Sequence, residues 1–273
     1  MTADSSAAPL ARRLLAEGLG TAVLVSVVIG SGQMATTLTD DVALQLLANS
    51  LTTVLGLGLL IWLLAPVSGA HLNPIVTAVV ALTDRRPRVE ALAYVLAQLV
   101  GGVAGALLAN AMFDLAVFQL ATTERTGAHL WLAEVVATAG LVTVVLALGR
   151  TARPGAAPVV VAAWIGAAYW FTSSTSFANP AVTLGRVFSD TFAGIAPASV
   201  PAFVLAQIVG GAVAVGLVRG LFGPQTRPSQ PWTASAQRAG AAGSAVNHND
   251  GSISSSSSST GAPDVSGTRS TRA

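Results

Sequence analysis

The sequence predicts an all-α membrane protein with six spanning helices and two short re-entrant half-helices, arranged as two inverted repeats. Three observations lead to this prediction. The chain is strongly apolar, with 52% hydrophobic residues, 10% charged residues and a mean hydropathy of +0.67. It contains six apolar stretches long enough to cross a bilayer as helices. Its two halves carry the same short motifs in the same order.

The composition excludes several classes of function. Soluble domains carry about 25% charged residues, so a charged fraction of 10% indicates a membrane protein. The formal net charge is only +2 and the arginines are scattered, which argues against a nucleic-acid partner. The chain has no cysteine, so disulfides, thiol chemistry and thiolate metal sites are excluded. Because no nucleotide loop, metal-ligand cluster or nucleophile–base set is found, we expect no enzyme activity, cofactor or metal.

The apolar stretches define the predicted transmembrane helices. About 20 residues of helix cross the hydrocarbon core of a bilayer, and each stretch is at or near that length. They lie at about residues 13–32, 42–65, 89–113, 129–149, 157–175 and 200–222. Arginines cluster before the first and third spans, between the fourth and fifth, and at the end of the sixth. Because such charges mark the cytoplasmic side, both termini are predicted to be cytoplasmic.

The two ends of the chain differ in composition from the domain between them. Residues 1–10 are expected to be disordered, and the Ser-, Gly- and Pro-rich residues 223–273 to form a disordered cytoplasmic tail. Neither segment can bury enough apolar surface to offset the entropy lost on ordering. The folded domain is therefore predicted at residues 11–222, with repeats at about 11–113 and 129–222.

An internal repeat relates the two halves. "LAEGLGTAVLV" from Leu15 matches "LAEVVATAGLV" from Leu132 at seven of eleven positions. "VLAQLVGG" from Val95 matches "VLAQIVGG" from Val204 at seven of eight. Each repeat holds three spans, an odd number, so the second repeat is inverted relative to the first. Inverted repeats place a shared site near the bilayer midplane, between the halves.

Each repeat also contains a short apolar segment behind an Asn-Pro dipeptide, in "SGAHLNPIVTAVV" and "SFANPAVTLGRVF". Asn is a good helix N-cap, and Pro suits the first helical position, so Asn73-Pro74 and Asn179-Pro180 are predicted to begin half-helices. In inverted halves, the positive dipole ends of these helices meet near the membrane centre. If each carboxamide oxygen caps its own helix, each NH2 group can donate into a central path.

These residues resemble a known family. "SGAHLNP", "ANPA" and the repeated "AE" of the first and fourth spans are similar to motifs of the major intrinsic proteins, the aquaporins and aquaglyceroporins. The resemblance covers roughly residues 10–222. It implies a homotetramer in the bacterial plasma membrane, with one pore per subunit for water or small uncharged solutes. Asn73 and Asn179 match the family's signature asparagines, which would orient a permeating water and interrupt a proton wire.

Two carboxylates, Glu17 and Glu134, lie within the first and fourth spans. They could relay protons in a secondary active transporter, which remains the alternative function. Their symmetric placement favours hydrogen bonding to backbone N–H groups of the re-entrant loops, and the resemblance implies that role. A membrane sensor that acts through the tail is a third possibility. The loop carbonyls expected to accept hydrogen bonds from permeating molecules belong to Gly69, Ala70, His71, Ser174, Thr175 and Ser176.

The outer constriction departs from the family pattern. The family's filter arginine normally stands three residues after the second signature asparagine, and here that position is Val182. Spacing assigns the other three filter positions to Thr53, Ala167 and Ser176. This set has neither the arginine that contributes to the proton and cation barrier of such pores nor an aromatic ring. Arg186, one turn further, is expected to snorkel to the interface rather than to lean over the mouth.

The altered filter bears on the transported solute. A wide, smooth constriction predicts passage of solutes larger than water, such as glycerol. The chain also resembles a bacterial subgroup with Val at the arginine position, which is associated with arsenical and other metalloid traffic. Trivalent arsenic is a neutral, polyol-like hydroxide near pH 7, and the resemblance therefore implies arsenite-sized neutral solutes as candidates.

Overall fold

The computed structural model describes residues 8–223, and within them the fold is entirely helical. Six helices there are long and apolar enough to cross a membrane, which confirms the predicted fold class. They are α1 (Leu10–Leu38), α2 (Val42–Ser68), α4 (Arg88–Met112), α5 (Ala128–Arg150), α6 (Ala157–Phe171, extended by the 3-10 turn Pro154–Ala156) and α8 (Val200–Phe222, extended by the 3-10 turn Pro197–Ser199). Two short helices, α3 (Pro74–Thr83) and α7 (Pro180–Gly185), follow the Asn-Pro dipeptides. The expectations for residues 1–7 and 224–273 lie outside the described residues.

Small residues let the outer helices of each repeat pack closely. Helix α1 packs along α4, and α5 packs along α8 in the second repeat. A β-carbon added at Gly101 would lie 2.2 Å from the carbonyl oxygen of Gly18, and one at Gly210 would lie 2.7 Å from that of Val135. No larger residue fits between backbones at this separation, which is a common arrangement in membrane helix pairs.

The fifth span ends earlier than predicted. The apolar stretch runs to residue 175, but α6 ends at Phe171 and Thr172 is extended. Ser174, beyond the end of the helix, donates to Glu134. The last residues of the apolar stretch therefore belong to the second re-entrant loop and not to the span, a distinction that hydrophobicity alone does not make.

The two re-entrant loops share an unusual backbone. In each loop, three of the six residues that precede the half-helix have a positive φ, in the left-handed region. They are Gly69, Ala70 and Leu72 in the first loop and Thr175, Ser176 and Ala178 in the second. A left-handed conformation costs about 1–3 kcal/mol for a residue other than glycine and persists only where surrounding contacts impose it. The matching positions indicate that both loops are fixed in the same way.

Candidate functional site

The two half-helices begin as the Asn-Pro dipeptides predict. The side-chain oxygen of Asn73 accepts hydrogen bonds from the backbone N–H groups two and three residues later, at 2.8 and 3.5 Å. Asn179 caps its helix in the same way, at 2.9 and 3.4 Å. Pro74 and Pro180 occupy the first helical positions, where the missing N–H has no helical partner.

The carboxamide nitrogens of the two caps connect the loops to each other. Asn73 Nδ2 donates to the carbonyl oxygen of Ala178 at 2.8 Å, and Asn179 Nδ2 donates to that of Leu72 at 2.7 Å. A carboxamide nitrogen carries two hydrogens, so one on each asparagine remains available to a molecule in the cavity that both residues line. The crossed bonds hold the two donors at the meeting point of the half-helices.

Glu17 supports the first re-entrant loop. Its Oε1 accepts from the hydroxyl of Ser68 at 2.6 Å and from the backbone N–H of His71 at 3.0 Å. Its Oε2 accepts from the backbone N–H of Leu72 at 2.7 Å and from the side chain of Gln98 at 2.8 Å. A carboxylate offers about four acceptor sites, and all four are used here.

Glu134 repeats this arrangement in the second loop. Its Oε1 accepts from the hydroxyl of Ser174 at 2.7 Å and from the backbone N–H of Phe177 at 2.9 Å. Its Oε2 accepts from the backbone N–H of Ala178 at 2.9 Å and from the side chain of Gln207 at 2.7 Å. Both carboxylates are fully buried. This geometry fits loop support better than proton relay, because no acceptor site is left for a passing proton.

A cavity of about 200 Å³ follows the junction of the half-helices. Three of the expected filter residues line it, namely Thr53, Ser176 and Val182. Four of the six expected loop residues line it, namely Gly69, Ala70, His71 and again Ser176. Ser174 and Thr175 do not, and Phe177 lines the cavity beside Ser176 instead. The second loop therefore presents residues one position later than we expected, because Ser174 is turned toward Glu134.

The expectation for Ala167 is wrong. This residue is exposed on the surface of α6 and does not line the cavity. Tyr169 lines it, is 4% exposed, and has its hydroxyl 3.3 Å from the Oγ1 of Thr53. Counting back from Asn179 crosses the irregular loop after Phe171, so the count does not show which face of α6 a residue occupies. The cavity wall beside Thr53 therefore does contain an aromatic ring.

The expectation that Arg186 snorkels to the interface is also wrong. Arg186 is 4% exposed and lines the cavity. Its guanidinium carbon lies 3.4 Å from the centre of the Phe177 ring, and its Nε donates to the carbonyl oxygen of Ala193. The reason is that residues 189–196 fold back and supply this acceptor. The protein itself thus provides a polar contact for this side chain, which the sequence analysis expected the membrane interface to provide.

A second guanidinium lies over the same ring. The guanidinium carbon of Arg125 is 5.2 Å from the centre of the Phe177 ring, and its Nε donates to the carbonyl oxygen of Gly194 at 2.9 Å. Among residues 8–223, neither Arg125 nor Arg186 forms an ion pair. Burial, and next the nearby charge of Arg125, lower the pKa of Arg186 to about 9, so its guanidinium remains charged at pH 7.

Sequence reasoning did not identify Tyr169 or Phe177 as cavity residues, or Arg125 as a neighbour of Phe177 outside the cavity. The first two stand beside predicted positions, and the internal repeat contained a signal for Phe177. It stands two residues before its asparagine, as His71 does in the first loop. Arg125 gives no local signal, because only the tertiary fold brings the connection between the repeats to this end of the cavity. In the described part of the chain no group of three or more His, Asp or Glu side chains could hold a metal ion.

Comparison with known proteins agrees with the predicted fold. The sequence profile of the major intrinsic protein family matches residues 4–176. The chain is 49% identical over 228 residues to aquaglyceroporin AqpS of Rhizobium meliloti (strain 1021), an alignment that covers 82% of this chain and 97% of that protein. The chain belongs to the major intrinsic protein family.

Two further comparisons extend this assignment. This major intrinsic protein is 32% identical over 197 residues to aquaporin C of Dictyostelium discoideum, covering 66% of this chain and 71% of that protein. The crystal structure of the aquaglyceroporin from Plasmodium falciparum has the same fold, with a TM-score of 0.59 at 21% identity over 79% of this chain and 98% of the other. The protein is therefore an integral membrane protein and a passive channel for water and small solutes, not an enzyme.

Proposed function

We propose that this channel conducts small neutral polyhydroxylated solutes of glycerol size in addition to water. One observation carries the proposal: the filter position three residues after Asn179 holds Val182, which lines the cavity. A valine takes up far less of the passage than an arginine and brings no N–H donors. Together with the small side chain of Thr53, it leaves an apolar and wide constriction on this side.

The relatives support a solute larger than water. The protein that shares 49% identity with this chain is named an aquaglyceroporin. Arsenite is a neutral trihydroxide near pH 7 and is similar in size and hydrogen bonding to a small polyol. We therefore include neutral metalloid hydroxides among the proposed solutes, with Asn73 and Asn179 donating to their oxygens at the middle of the path.

The hydrogen bonding of the buried carboxylates argues against an ion-coupled transporter. Glu17 and Glu134 each accept four hydrogen bonds, two of them from backbone N–H groups of the re-entrant loop that they support. A coupling carboxylate has to exchange protons or ions during the cycle, and such exchange would break the contacts that hold the loop. The two mechanisms also differ in a measurable way, because flux through a channel requires no ion gradient.

We further propose a homotetramer in the bacterial plasma membrane, with one pore per subunit and both termini in the cytoplasm. The arginine distribution supports the orientation. Large apolar side chains, among them Leu15, Trp62 and Val100, are exposed on the spanning helices and suit contact with lipid or with other subunits. Native mass spectrometry of the purified protein tests the assembly, and a stable monomer or dimer as the main species would contradict it.

Stopped-flow measurements on proteoliposomes test the solute proposal. The panel is water, glycerol, urea and arsenite, each measured without an ion gradient and against protein-free liposomes. We expect protein-dependent flux of glycerol and arsenite as well as water, with a low activation energy. Flux of water alone would contradict the wide constriction, and flux that appears only with a proton or sodium gradient would favour the transporter.

A further inference from the structure

The charged side chain of Arg186 and the small side chain of Val182 occupy different positions in the cavity wall of this pore. Val182 and Arg186 both line the cavity, and Arg186 begins the short 3-10 turn that follows α7. One turn of helix is about 5.4 Å long. The backbone of residue 186 therefore lies about one turn further along the chain from Asn179 than that of residue 182, and the guanidinium of Arg186 lies against the ring of Phe177.

The guanidinium of Arg186 has donors to spare. Only its Nε has a protein acceptor, the carbonyl oxygen of Ala193, within the part of the chain that the structure describes. A guanidinium carries five N–H donors, so four remain for a molecule in the cavity. No carboxylate within residues 8–223 pairs with it. A buried, unpaired charge in a region of low dielectric produces a strong local field.

We propose that Arg186 is a specificity-determining residue of the channel, which excludes cations at one mouth while Val182 leaves the constriction wide. The inference rests on the proposed solute function and adds a separate element to it. An arginine at residue 182 would narrow the passage and repel cations at the same place. Here the two effects belong to different residues, so that Val182 leaves the constriction wide for neutral solutes and cations meet the positive charge of Arg186 in the cavity wall.

A purely structural role for Arg186 predicts a different result, and Arg125 supplies the matched control. Both guanidinium groups lie over the ring of Phe177, and both donate to carbonyl oxygens of residues 192–194. Arg125, however, does not line the cavity. Loss of either side chain would loosen the same loop, but only loss of Arg186 would remove a charge from the cavity wall.

Urea and guanidinium form a suitable pair of probes, because they have similar size and planar shape but differ in charge. Their entry into proteoliposomes is measured for the native protein, Arg186→Gln, Arg186→Met, Arg186→Lys and Arg125→Gln. We expect either uncharged variant at residue 186 to raise guanidinium entry at least about tenfold, with a smaller change for urea. Arg186→Lys keeps a cation and should remain close to the native protein, as should Arg125→Gln.

The outcomes separate this inference from the function on which it rests. Two uncharged variants are used so that a folding failure of one leaves the other to be measured. If the native channel passes neither urea nor glycerol, the proposed function fails. If it passes them but guanidinium entry is unchanged in the folded uncharged variant, the role of Arg186 is overturned. Equal guanidinium entry through Arg125→Gln would also overturn it and would indicate a structural role.

Discussion

Thr53 and Tyr169 are hydrogen-bonded in the cavity wall, with the threonine Oγ1 3.3 Å from the tyrosine hydroxyl. Thr53 belongs to α2 and Tyr169 to α6, so the contact joins the first repeat to the second. Both residues are at least 96% buried and line the cavity. We propose that this pair forms part of the filter and that its size affects which solutes pass.

Tyr169→Ala should widen the filter. Removing the ring leaves space for one more hydroxylated carbon, and discrimination by one such group in a pocket is about tenfold or more. We expect entry of erythritol, a four-carbon polyol, to rise about tenfold relative to entry of glycerol. Tyr169→Phe is the control, because it removes only the hydrogen bond to Thr53 and should change the ratio little. An unchanged ratio in Tyr169→Ala would place the narrowest point elsewhere.

Val182→Arg should convert the filter toward water selectivity. The larger side chain fills part of the constriction and brings five N–H donors into it. It also places a second cation one turn from Arg186, so the double variant Val182→Arg with Arg186→Gln is measured in parallel. Glycerol flux in proteoliposomes should fall by more than water flux in both variants. Equal falls in the two fluxes would indicate a general blockage or misfolding.

Asn179→Asp should preserve the helix cap but change the charge at the centre of the pore. Asp caps a helix nearly as well as Asn, so the thermal stability should change little. The carboxylate replaces an N–H donor with a negative charge and weakens the positive potential of the two helix ends. We expect a faster proton leak, read with a pH-sensitive dye inside proteoliposomes. Asn179→Ala removes both the cap and the donor and serves for comparison.

Glu134→Gln should destabilise the protein. The substitution replaces one acceptor oxygen with an NH2 group that faces N–H or O–H donors, and each buried group left unsatisfied costs about 1–3 kcal/mol. Glu17→Gln should have a similar effect in the first repeat, because its four partners are equivalent. Thermal unfolding in detergent measures both. Normal stability combined with loss of flux would instead favour a proton-transfer role for these carboxylates.

The proposed orientation predicts which loops face the cytoplasm. The chain has no cysteine, so single cysteines report without background. Thr151→Cys, between α5 and α6, should be labelled by a membrane-impermeant maleimide only after the cells are opened. Thr123→Cys, between α4 and α5, should be labelled in intact cells. Both positions are exposed in the structure. The reverse pattern would place Arg186 at the cytoplasmic mouth.

Local signals in the sequence predicted most of the fold. Span positions follow from hydrophobic length, the inverted repeat follows from matched motifs, and the half-helix starts follow from the capping chemistry of Asn73 and Asn179. These features are encoded within a few residues of where they act, and the structure places each helix start within a few residues of its prediction. The helix ends are predicted less well, because α1 continues to Leu38, beyond the predicted residue 32, and α6 stops at Phe171, before the predicted residue 175.

The filter could not be predicted to the same accuracy. The position of Tyr169 depends on the path of an irregular loop, and residue counting cannot follow that path. The orientation of Arg186 depends on residues 189–196, which lie close to it in the chain but fold back over it only in the tertiary structure. A sequence pattern shows that a charged side chain needs a polar environment, but it does not show whether solvent or protein provides it.

The two re-entrant loops carry different side chains at one corresponding position, so the two ends of the pathway differ. Two residues before its asparagine, one loop carries His71, whose ring nitrogen is 3.1 Å from the hydroxyl of Thr77. The other carries Phe177, which is covered by two guanidinium groups. Without a gradient of the solute, a passive pore carries no net flow in either direction, however different its ends are. The two ends of this channel therefore differ only in the side chains that an entering molecule contacts first. A blocking compound meets different side chains when it is added to one side of the membrane or to the other.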